Sequence, residues 1–405
     1  MGRLITTRRT FIAGGLSAGL AMPLMARRAQ AAEPIKFGFN GDLSASPSAQ
    51  SGRAAVAGIQ AAIGDITANK GLSGRQVTLV VRDDLSQPPK SIQNMSDLID
   101  NEKVVAVFGP TNSGNALAWK QIPNQKHIPV MGCIGSATDI TKPMTPTADN
   151  YMFRVGSVDR LQVVAVVTYA KKNPSTKKVG LLTETTGYGQ GGLKDLLEIT
   201  KIQGITPVAN EKFGVNDTDM TSQLSKLKEA GVDTILLWAQ GTPIGQVMRS
   251  MDKIGYFPLV LTSWAADNLS FFHTAGETLA EKPIFLRTVS ETRTPRQQEF
   301  FNRIRPQLDA DSAFSFAVHA YDATMLLAMA IEQAGTTDGS AVREALENLK
   351  QPYAGYAKTY QTPFSRDNHE GLGPSDQHWT CWRGGKLAAY TDPVIASLTP
   401  EDFKG

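Results

Sequence analysis

The stretch from residue 35 to residue 108 decides the fold class of this chain. Its apolar runs read IKFGF at 35–39, VTLVVR at 77–82 and VVAVF at 104–108, with helix-period segments at 52–68 and 89–101 between them. Short β-branched or aromatic strands that alternate with helices are typical of a parallel sheet covered on both faces. The stretch therefore predicts an α/β fold.

The same alternation continues toward the C-terminus. Further strands are predicted at 128–131, 179–182, 207–213, 234–238 and 259–262, and further helices at 116–125, 160–172, 220–230 and 244–254. A chain of 405 residues is longer than a single core usually serves, so we expect two lobes. No long linker separates them, which indicates that the chain crosses between the lobes more than once. Crossings are predicted near Arg154, near Pro283 and within 368–376, and a hairpin is predicted at 379–390.

Residues 1–31 are predicted to be an export signal and not part of the fold. Paired arginines, Arg8 and Arg9, precede an apolar run from Phe11 to Met25, and Ala29-Gln30-Ala31 supplies a small-residue cleavage site. This order is typical of a twin-arginine signal. Its removal changes the formal charge from +3 to −2, because the segment carries five arginines and no acid. We therefore expect a periplasmic protein exported by the twin-arginine route.

The remaining composition argues against several classes of protein. Charges of both signs are scattered along the chain, so the charge pattern does not indicate binding to nucleic acid or to an anionic membrane. The most apolar later stretch, 313–334, contains His319, Asp322 and Glu332 and is better explained as a buried helix than as a membrane span. Cys133 and Cys381 are predicted to be packed thiols, although the periplasm would permit a bridge between them.

Polar loops follow several predicted strands. Ligands of open α/β sheets bind beyond the carboxyl ends of the strands, where the N–H groups of the following helices point. Hydroxyls and amides in these loops would suit a carboxylate, although ordinary turn and helix-capping chemistry uses the same residues. The loops are 40–44, 109–115, 132–138 and 183–190.

An ordered series of short motifs resembles the Leu/Ile/Val-binding proteins of bacterial importers. The motifs are IKFG at 35–38, VRDD at 81–84, FGP at 108–110 with Ser113-Gly114, GSATDIT at 135–141, YGQG at 188–191 and AYDA at 320–323. The resemblance extends over essentially the whole chain after the signal, and the order of the motifs carries it more than any single one does.

This resemblance implies a type I periplasmic binding protein fold, with two Rossmann-like lobes joined by three crossovers that close on a ligand. The first lobe would comprise residues 32–154 and 284–370, and the second 155–283 and 371–405. The implied function is that of the solute-binding component of an ABC importer, with a small-molecule ligand and an inner-membrane permease as partners. Such a protein would be a monomer, would catalyse no reaction and would hold neither metal nor cofactor.

The resemblance also implies particular site residues. In the first lobe, the hydroxyls of Ser113 and Ser136 and a backbone group of Ile134 would bind a carboxylate. Tyr188 and Gln240 would close from the second lobe. Ser51 or Gln50 stands where the family often places an aromatic ring.

One departure from the family concerns the ligand's ammonium group. Leucine-type members place an acid after the strand that here ends at Thr262, whereas this chain has Trp264 at that position. Because a buried ammonium without a carboxylate is costly, either another acid substitutes or the ligand has no ammonium. The substitutes considered are Asp42, Glu184 and Asp267. With Trp238 and Trp264 near strand ends, the predicted ligand is a branched-chain or other hydrophobic amino acid or an aromatic carboxylate.

Two other classes of function compete with this interpretation. An exported NAD-dependent oxidoreductase is suggested by the glycine pattern at 187–192, which matches G-x-G-x-x-G after a strand, and by Glu211 about twenty residues on. A ligand-binding partner of a membrane sensor would have the same sequence features as a transport protein. Hydrolase and metal motifs are absent from the sequence, and His319 is predicted to be a core histidine.

Overall fold

Residues 33–403 are described by the computed structural model, and two parallel sheets form the centre of the fold. The predicted export signal, residues 1–31, lies outside this part of the chain. The first sheet has the spatial order β2-β1-β3-β4-β5 and the second the order β7-β6-β8-β9, with all neighbouring strands parallel. The strands are β1 Ile35–Gly41, β2 Val77–Asp83, β3 Ala106–Phe108, β4 Val130–Gly132, β5 Met152–Arg154, β6 Val179–Glu184, β7 Ala209–Phe213, β8 Thr234–Trp238 and β9 Leu259–Thr262.

Helices follow most of these strands, as the sequence predicts for a doubly wound sheet. The helices are α1 Ala49–Ala68, α2 Pro88–Asp100, α3 Ser113–Trp119, α4 Gln121–Lys126, α5 Asp159–Lys172, α6 Gly187–Ile202, α7 Thr221–Glu229, α8 Gly241–Lys253, α9 Leu269–Ala275, α10 Glu277–Ala280, α11 Pro295–Ile304, α12 Phe314–Ala334, α13 Gly339–Glu347 and α14 Pro393–Ala396. The order 2-1-3-4-5 reverses direction between β1 and β3, and the second sheet reverses likewise between β6 and β8. Such switch points are where open α/β sheets bind ligands.

The predicted helix at 116–125 is wrong in two respects. The chain forms two helices there, α3 and α4, and the first begins at Ser113. Pro123 explains the break, since proline has no N–H to donate and its ring clashes with the carbonyl four residues earlier, which belongs to Trp119. The early start has a capping cause, because the side chain of Asn112 accepts a hydrogen bond from Gly114 N at 3.0 Å.

The apolar helix α12 lies in the core of the first lobe. It is the described segment whose length and hydropathy would suit a membrane span, but 89% of its most apolar window is buried. It packs against α1 at Gly58, where a Cβ would stand 2.2 Å from the carbonyl oxygen of Ala317. The prediction of a buried helix is confirmed, and His319 within it is fully buried.

Smaller antiparallel sheets complete the chain. Strands β11 Tyr353–Ala354 and β12 Thr359–Tyr360 pair with each other, and β10 Phe285–Arg287, β13 His378–Arg383 and β14 Lys386–Ala389 form a second sheet in that order. The hairpin of β13 and β14 was predicted. Gly384 and Gly385 form its turn with φ of 52° and 73°, the left-handed pair that two-residue hairpin turns require.

A buried ion pair joins two distant segments of the chain. The side chain of Arg154 is fully buried, and its Nε lies 2.8 Å from Glu370 Oε2. The backbones of the same two residues form a parallel bridge. Arg154 Nη1 also donates to the carbonyls of Gly135 and Ala137, each at 3.0 Å. Through these two hydrogen bonds, Arg154 fixes the loop that follows β4.

Candidate functional site

A cavity of about 60 Å³ lies between the two lobes, beyond the carboxyl ends of strands from both parallel sheets. The lining residues follow β1, β3 and β4 in the first lobe and β6, β8 and β9 in the second, with Phe316 added from α12. They are Pro47, Ser48, Ser51, Thr111, Asn112, Ser113, Ile134, Gly135, Ser136, Tyr188, Gln240, Gly241, Trp264, Ala265, Asn268 and Phe316.

All seven residues that the sequence predicts for the site lie in this lining. They are Ser51, Ser113, Ile134, Ser136, Tyr188, Gln240 and Trp264. Of the two candidates for one position, Ser51 lines the cavity and Gln50 does not. The structure thus brings the predicted residues together, and their contact with a ligand stays a prediction.

Two serines form the first-lobe wall. Ser113 begins α3, and its Oγ accepts a hydrogen bond from Ala137 N at 3.2 Å. The Ser113 hydroxyl can therefore donate its own hydrogen bond to a ligand. Ser136 follows β4, and its Oγ accepts from Trp264 Nε1 at 3.2 Å. Both residues are buried, so their hydroxyls act in a site of low dielectric where hydrogen bonds to an anion are strong.

Tyr188 and Gln240 form the facing wall in the second lobe. The Tyr188 hydroxyl lies 2.5 Å from Ser263 Oγ, and burial raises its pKa well above the ordinary value. The phenol therefore stays neutral. Gln240 precedes α8 and is fixed from behind by Glu184, whose carboxylate accepts from the Gln240 backbone N at 2.9 Å and from its side-chain amide at 3.1 Å.

Trp264 reaches across the cleft. Its backbone N donates to Gln162 Oε1 at 2.7 Å, and its ring contacts Phe316 with centroids 5.0 Å apart. Since the indole N–H donates to Ser136 in the opposite wall, this side chain contacts both lobes. The position at which the family resemblance implies an acid is therefore filled by a large ring with one neutral donor.

Further hydrogen bonds join the lobes around the cavity. Ser48 Oγ donates to Gln240 Oε1, Asn268 Nδ2 donates to Ser51 Oγ, and Ser270 Oγ donates to the carbonyl of Pro47, each at 3.3 Å. These contacts connect the start of α1 with the loops after β8 and β9. The structure thus shows the two walls in contact with each other.

Trp238 does not contribute to the site. Its place near a strand end suggested an aromatic contact with the ligand, as for Trp264, and that suggestion is wrong for Trp238. Its side chain is fully buried in the second-lobe core and does not line the cavity. It packs against α6 at Gly192, where a Cβ would stand 2.0 Å from Trp238 Cδ1.

Sequence reasoning missed several lining residues. Ser48 is the residue before α1, and Asn268 caps α9 by accepting from Ser270 N at 2.9 Å, so capping signals could have located both. Pro47 lies in the turn before Ser48. Phe316 carried no signal, because it belongs to a helix far along the chain that only tertiary packing brings to the cavity.

Possible metal ligands in the described residues are already engaged. Asp42, Asp83 and Asp84 place carboxylate oxygens within 4.8 Å of one another. Asp42 accepts from three backbone N–H groups, Asp83 from Leu43 N and Ser44 Oγ, and Asp84 from Ser91 Oγ and Asn115 Nδ2. The hydrogen bonds of these three carboxylates stabilise the turns after β1 and β2.

The cysteines and the core histidine are as the sequence predicted. Cys133 and Cys381 are both buried and free, and burial raises the pKa of the Cys133 thiol to about 12. The ring of His319 lies 2.5 Å from Thr288 Oγ1, and burial together with the nearby Arg287 lowers its pKa to about 3. His319 is therefore a neutral core histidine.

The sequence pattern of the periplasmic binding proteins matches residues 34–375, most of the described chain. The chain belongs to the periplasmic binding protein family. The predicted resemblance to Leu/Ile/Val-binding proteins and the type I fold are both confirmed.

Relatives and solved structures resemble this chain over most of its length. The Leu/Ile/Val-binding protein homolog 3 of Brucella melitensis is 24% identical over 72% of this chain and 78% of the relative. A branched-chain amino acid transporter substrate binding protein of Streptococcus pneumoniae, solved with isoleucine, has a TM-score of 0.75 at 24% identity and covers 88% of this chain and 98% of its own. A solute binding protein of an R. palustris ABC transporter, solved with 4-hydroxybenzoate, has a TM-score of 0.72 at 18% identity, with coverages of 88% and 96%.

The glycine-rich run at 187–192 has a packing role in this family member. Gly187 begins α6, and a Cβ there would stand 2.8 Å from Gly114 Cα of the first lobe. The start of α6 is thus occupied by the opposite lobe, at the place where a dinucleotide would set its pyrophosphate. Glu211, the proposed ribose ligand, lies on β7 and pairs with Lys226 at 3.0 Å. The oxidoreductase interpretation finds no support in this arrangement.

Proposed function

We propose that this protein is the periplasmic solute-binding component of an ABC importer. It would hold one small molecule between its lobes and deliver it to an inner-membrane permease without transforming it. The observation that carries the proposal is the interlobe cavity, whose two walls are hydrogen-bonded to each other through Trp264 and Ser136. A site that closes by bringing two lobes together is suited to capture and release.

The ligand of this proposal is a small molecule with a carboxylate and an apolar or aromatic body. Neutral donors surround the polar part of the cavity, and Ile134, Trp264 and Phe316 supply an apolar surface. Hydrophobic amino acids and aromatic carboxylates both satisfy this description. The two ligand-bound neighbours, one with isoleucine and one with 4-hydroxybenzoate, represent these two possibilities.

The proposal extends to the lobe boundaries. Phe285 and Leu286 are buried in the cores of the second lobe, and β10 pairs with β13, whereas Val289 belongs to the core of the first lobe. We therefore place the second crossing after Arg287 instead of near Pro283. The first crossing after Arg154 and the third within 368–376 remain as the sequence predicts.

Export by the twin-arginine route and a monomeric state also belong to the proposal. Paired arginines before the apolar run of residues 11–25 support the route. Replacing Arg8 and Arg9 by lysines should retain the precursor in the cytoplasm, as fractionation would show.

Isothermal titration of the purified protein tests the binding function. The panel contains hydrophobic amino acids, aromatic carboxylates and NAD. We expect saturable binding of one molecule per chain for at least one acid, together with a higher melting temperature, because a ligand that binds only the folded state stabilises it. Failure to bind any acid would refute the proposal, and tight binding of NAD in that case would favour the oxidoreductase interpretation.

A further inference from the structure

Among residues 33–403, the lining of the interlobe cavity contains no charged side chain. Its sixteen residues carry hydroxyls, amides, an indole, a phenol and apolar groups, and none is an acid or a base. A carboxylate can be bound by such neutral donors, as it is in many proteins where backbone and hydroxyl groups replace a counter-ion. An ammonium group would enter the same space without a negative partner, which is costly in a site of low dielectric.

Helix dipoles make the cavity more favourable for an anion. Two helices of at least thirteen residues begin at its edge: α1 directly after Ser48 and α8 at Gly241. The N-terminal end of a helix carries a partial positive charge. Two such ends at one cavity attract a carboxylate and repel an ammonium group.

The acids nearest in sequence to the lining are held by other groups. Glu184 accepts from Thr186 Oγ1 and from both nitrogens of Gln240, so that Gln240 stands between it and the cavity. Asp267 lies 2.8 Å from the guanidinium of Arg287 and accepts from Ser315 Oγ at 2.9 Å.

Asp42 is likewise occupied. Its carboxylate accepts hydrogen bonds from the backbone N–H groups of Ser44, Ala45 and Ser46, at 3.1, 2.8 and 2.8 Å. None of these three acids lines the cavity. The substitutes that the sequence offered for the missing acid are therefore not available to a ligand.

One more acid lies behind the first-lobe wall. Asp159 is fully buried at the start of α5, close to the Ser136 hydroxyl and the Trp238 indole, and neither of its oxygens has a hydrogen-bond partner of good geometry within residues 33–403. Burial raises its pKa to about 7, the charge of Asp195 acts in the same direction, and Arg154 opposes it. Tyr188 faces the same carboxyl group. At neutral pH this group is protonated for a large part of the time, so it offers no fixed negative charge.

Resting on the proposed function, we infer that the site selects monocarboxylates that have no amino group. The class includes 2-oxo acids, 2-hydroxy acids and aromatic carboxylates with an uncharged body. Trp264, in the place of the family's acid, closes over the carboxylate end by its hydrogen bond to Ser136 and provides a ring surface for the body. Amino acids, the ligands of the leucine-type relatives, are discriminated against.

Titration calorimetry with matched pairs of compounds tests this selection on the wild-type protein. The pairs are leucine with 4-methyl-2-oxopentanoate, and phenylalanine with 3-phenylpropanoate and with phenylpyruvate, measured at pH 6 and at pH 8. We expect the amine-free member of a pair to bind at least about tenfold more tightly, as expected when one charged group is left without a partner. Equal or tighter binding of the amino acid would overturn the inference and leave the importer function standing, whereas failure of every acid in both panels would refute both.

The variant Asp159→Asn tests whether Asp159 acts as the counter-ion of a bound ammonium group. If Asp159 were the counter-ion, amino-acid affinity would rise between pH 6 and pH 8 and would be lost in the variant, which would overturn the inference. We expect instead that the variant keeps the preference for the amine-free compounds.

The variant Trp264→Glu tests the role of Trp264. A gain of leucine binding relative to the binding of its 2-oxo partner would support this role, and an unchanged ratio of the two affinities would contradict it.

Discussion

Single hydroxyl groups carry the carboxylate end of the proposed site. Ser113 Oγ already accepts from Ala137 N, so its own proton is the one that a ligand can receive. Ser136 Oγ accepts from Trp264 and connects the two lobes. The two serines thus have different tasks, although they lie in the same wall of the cavity.

Replacing Ser113 by alanine should weaken the binding of a carboxylate ligand. We expect a loss of about 1 to 3 kcal/mol, the value of a hydrogen bond to a charged group. Titration calorimetry measures it. Ser250→Ala is the matched control, because the Ser250 hydroxyl also accepts from a backbone N–H, that of Met220 at 3.0 Å, but lies away from the cavity. Unchanged affinity in Ser113→Ala would remove this residue from the site.

Asp159 makes the stability of the protein depend on pH. Its native pKa of about 7 is above the ordinary value of 3.8, so the native state holds the proton more tightly than the unfolded state does. The contribution of this group to stability is therefore most favourable at acid pH and falls as the pH rises toward 7, by at most about 1.4 kcal/mol per pH unit.

Asp159→Asn should remove this dependence. Compared with the wild-type protein, the variant is expected to gain stability at pH 8 relative to pH 5, which melting curves at both pH values will show. Asp252→Asn, at an exposed position of α8, is the control and should change little. If the stability difference between the variant and the wild-type protein is the same at pH 5 and at pH 8, Asp159 is ionised at both pH values.

At the scale of elements, close helix packing on the second sheet sets the geometry of the second-lobe wall. Gly192 of α6 leaves room for the ring of Trp238 on β8, and α6 carries Tyr188 into the cavity. A side chain at position 192 would push the helix away from the sheet. Glycine is needed here for contact between elements, and not for a special backbone conformation.

Gly192→Ala should therefore destabilise the protein, by about 1 to 3 kcal/mol, since overpacking strains a close-packed core. Denaturant unfolding measures the change. Gly64→Ala is a matched control, because Gly64 also lies inside a helix, α1, but a Cβ there would meet no other described residue within 4 Å. The control should gain about 0.5 to 1 kcal/mol from helix propensity. Similar effects of the two substitutions would contradict the packing argument.

At the scale of the whole molecule, affinity depends on how readily the lobes close. Ser270 Oγ donates to the carbonyl of Pro47 across the cleft, yet Ser270 does not line the cavity. Removing this contact leaves the ligand's own partners in place and makes the closed form less populated. Apparent affinity falls with the fraction of the binding-competent form.

Ser270→Ala is thus expected to weaken ligand binding by about twofold to tenfold, the equivalent of one ordinary hydrogen bond. Calorimetry measures the affinity, and small-angle scattering measures the share of open molecules. Ser222→Ala, at an exposed position of α7, should have no effect on either quantity. An unchanged affinity in Ser270→Ala would mean that this contact does not limit closure.

The sequence alone determined the α/β class and nearly all strands of the two parallel sheets, because these features depend on local periodicity. The rule that loops at the carboxyl ends of strands meet at one edge indicated which loops could form a site, and the family resemblance implied the individual residues. The tertiary structure decided the rest. It placed Phe316 in the cavity and Trp238 in the core, and it broke the predicted helix at Pro123. It also showed that Asp42, Glu184 and Asp267 are bound to other groups. Whether a side chain faces a ligand or a neighbour depends on contacts between residues far apart in the chain, which local sequence patterns do not encode.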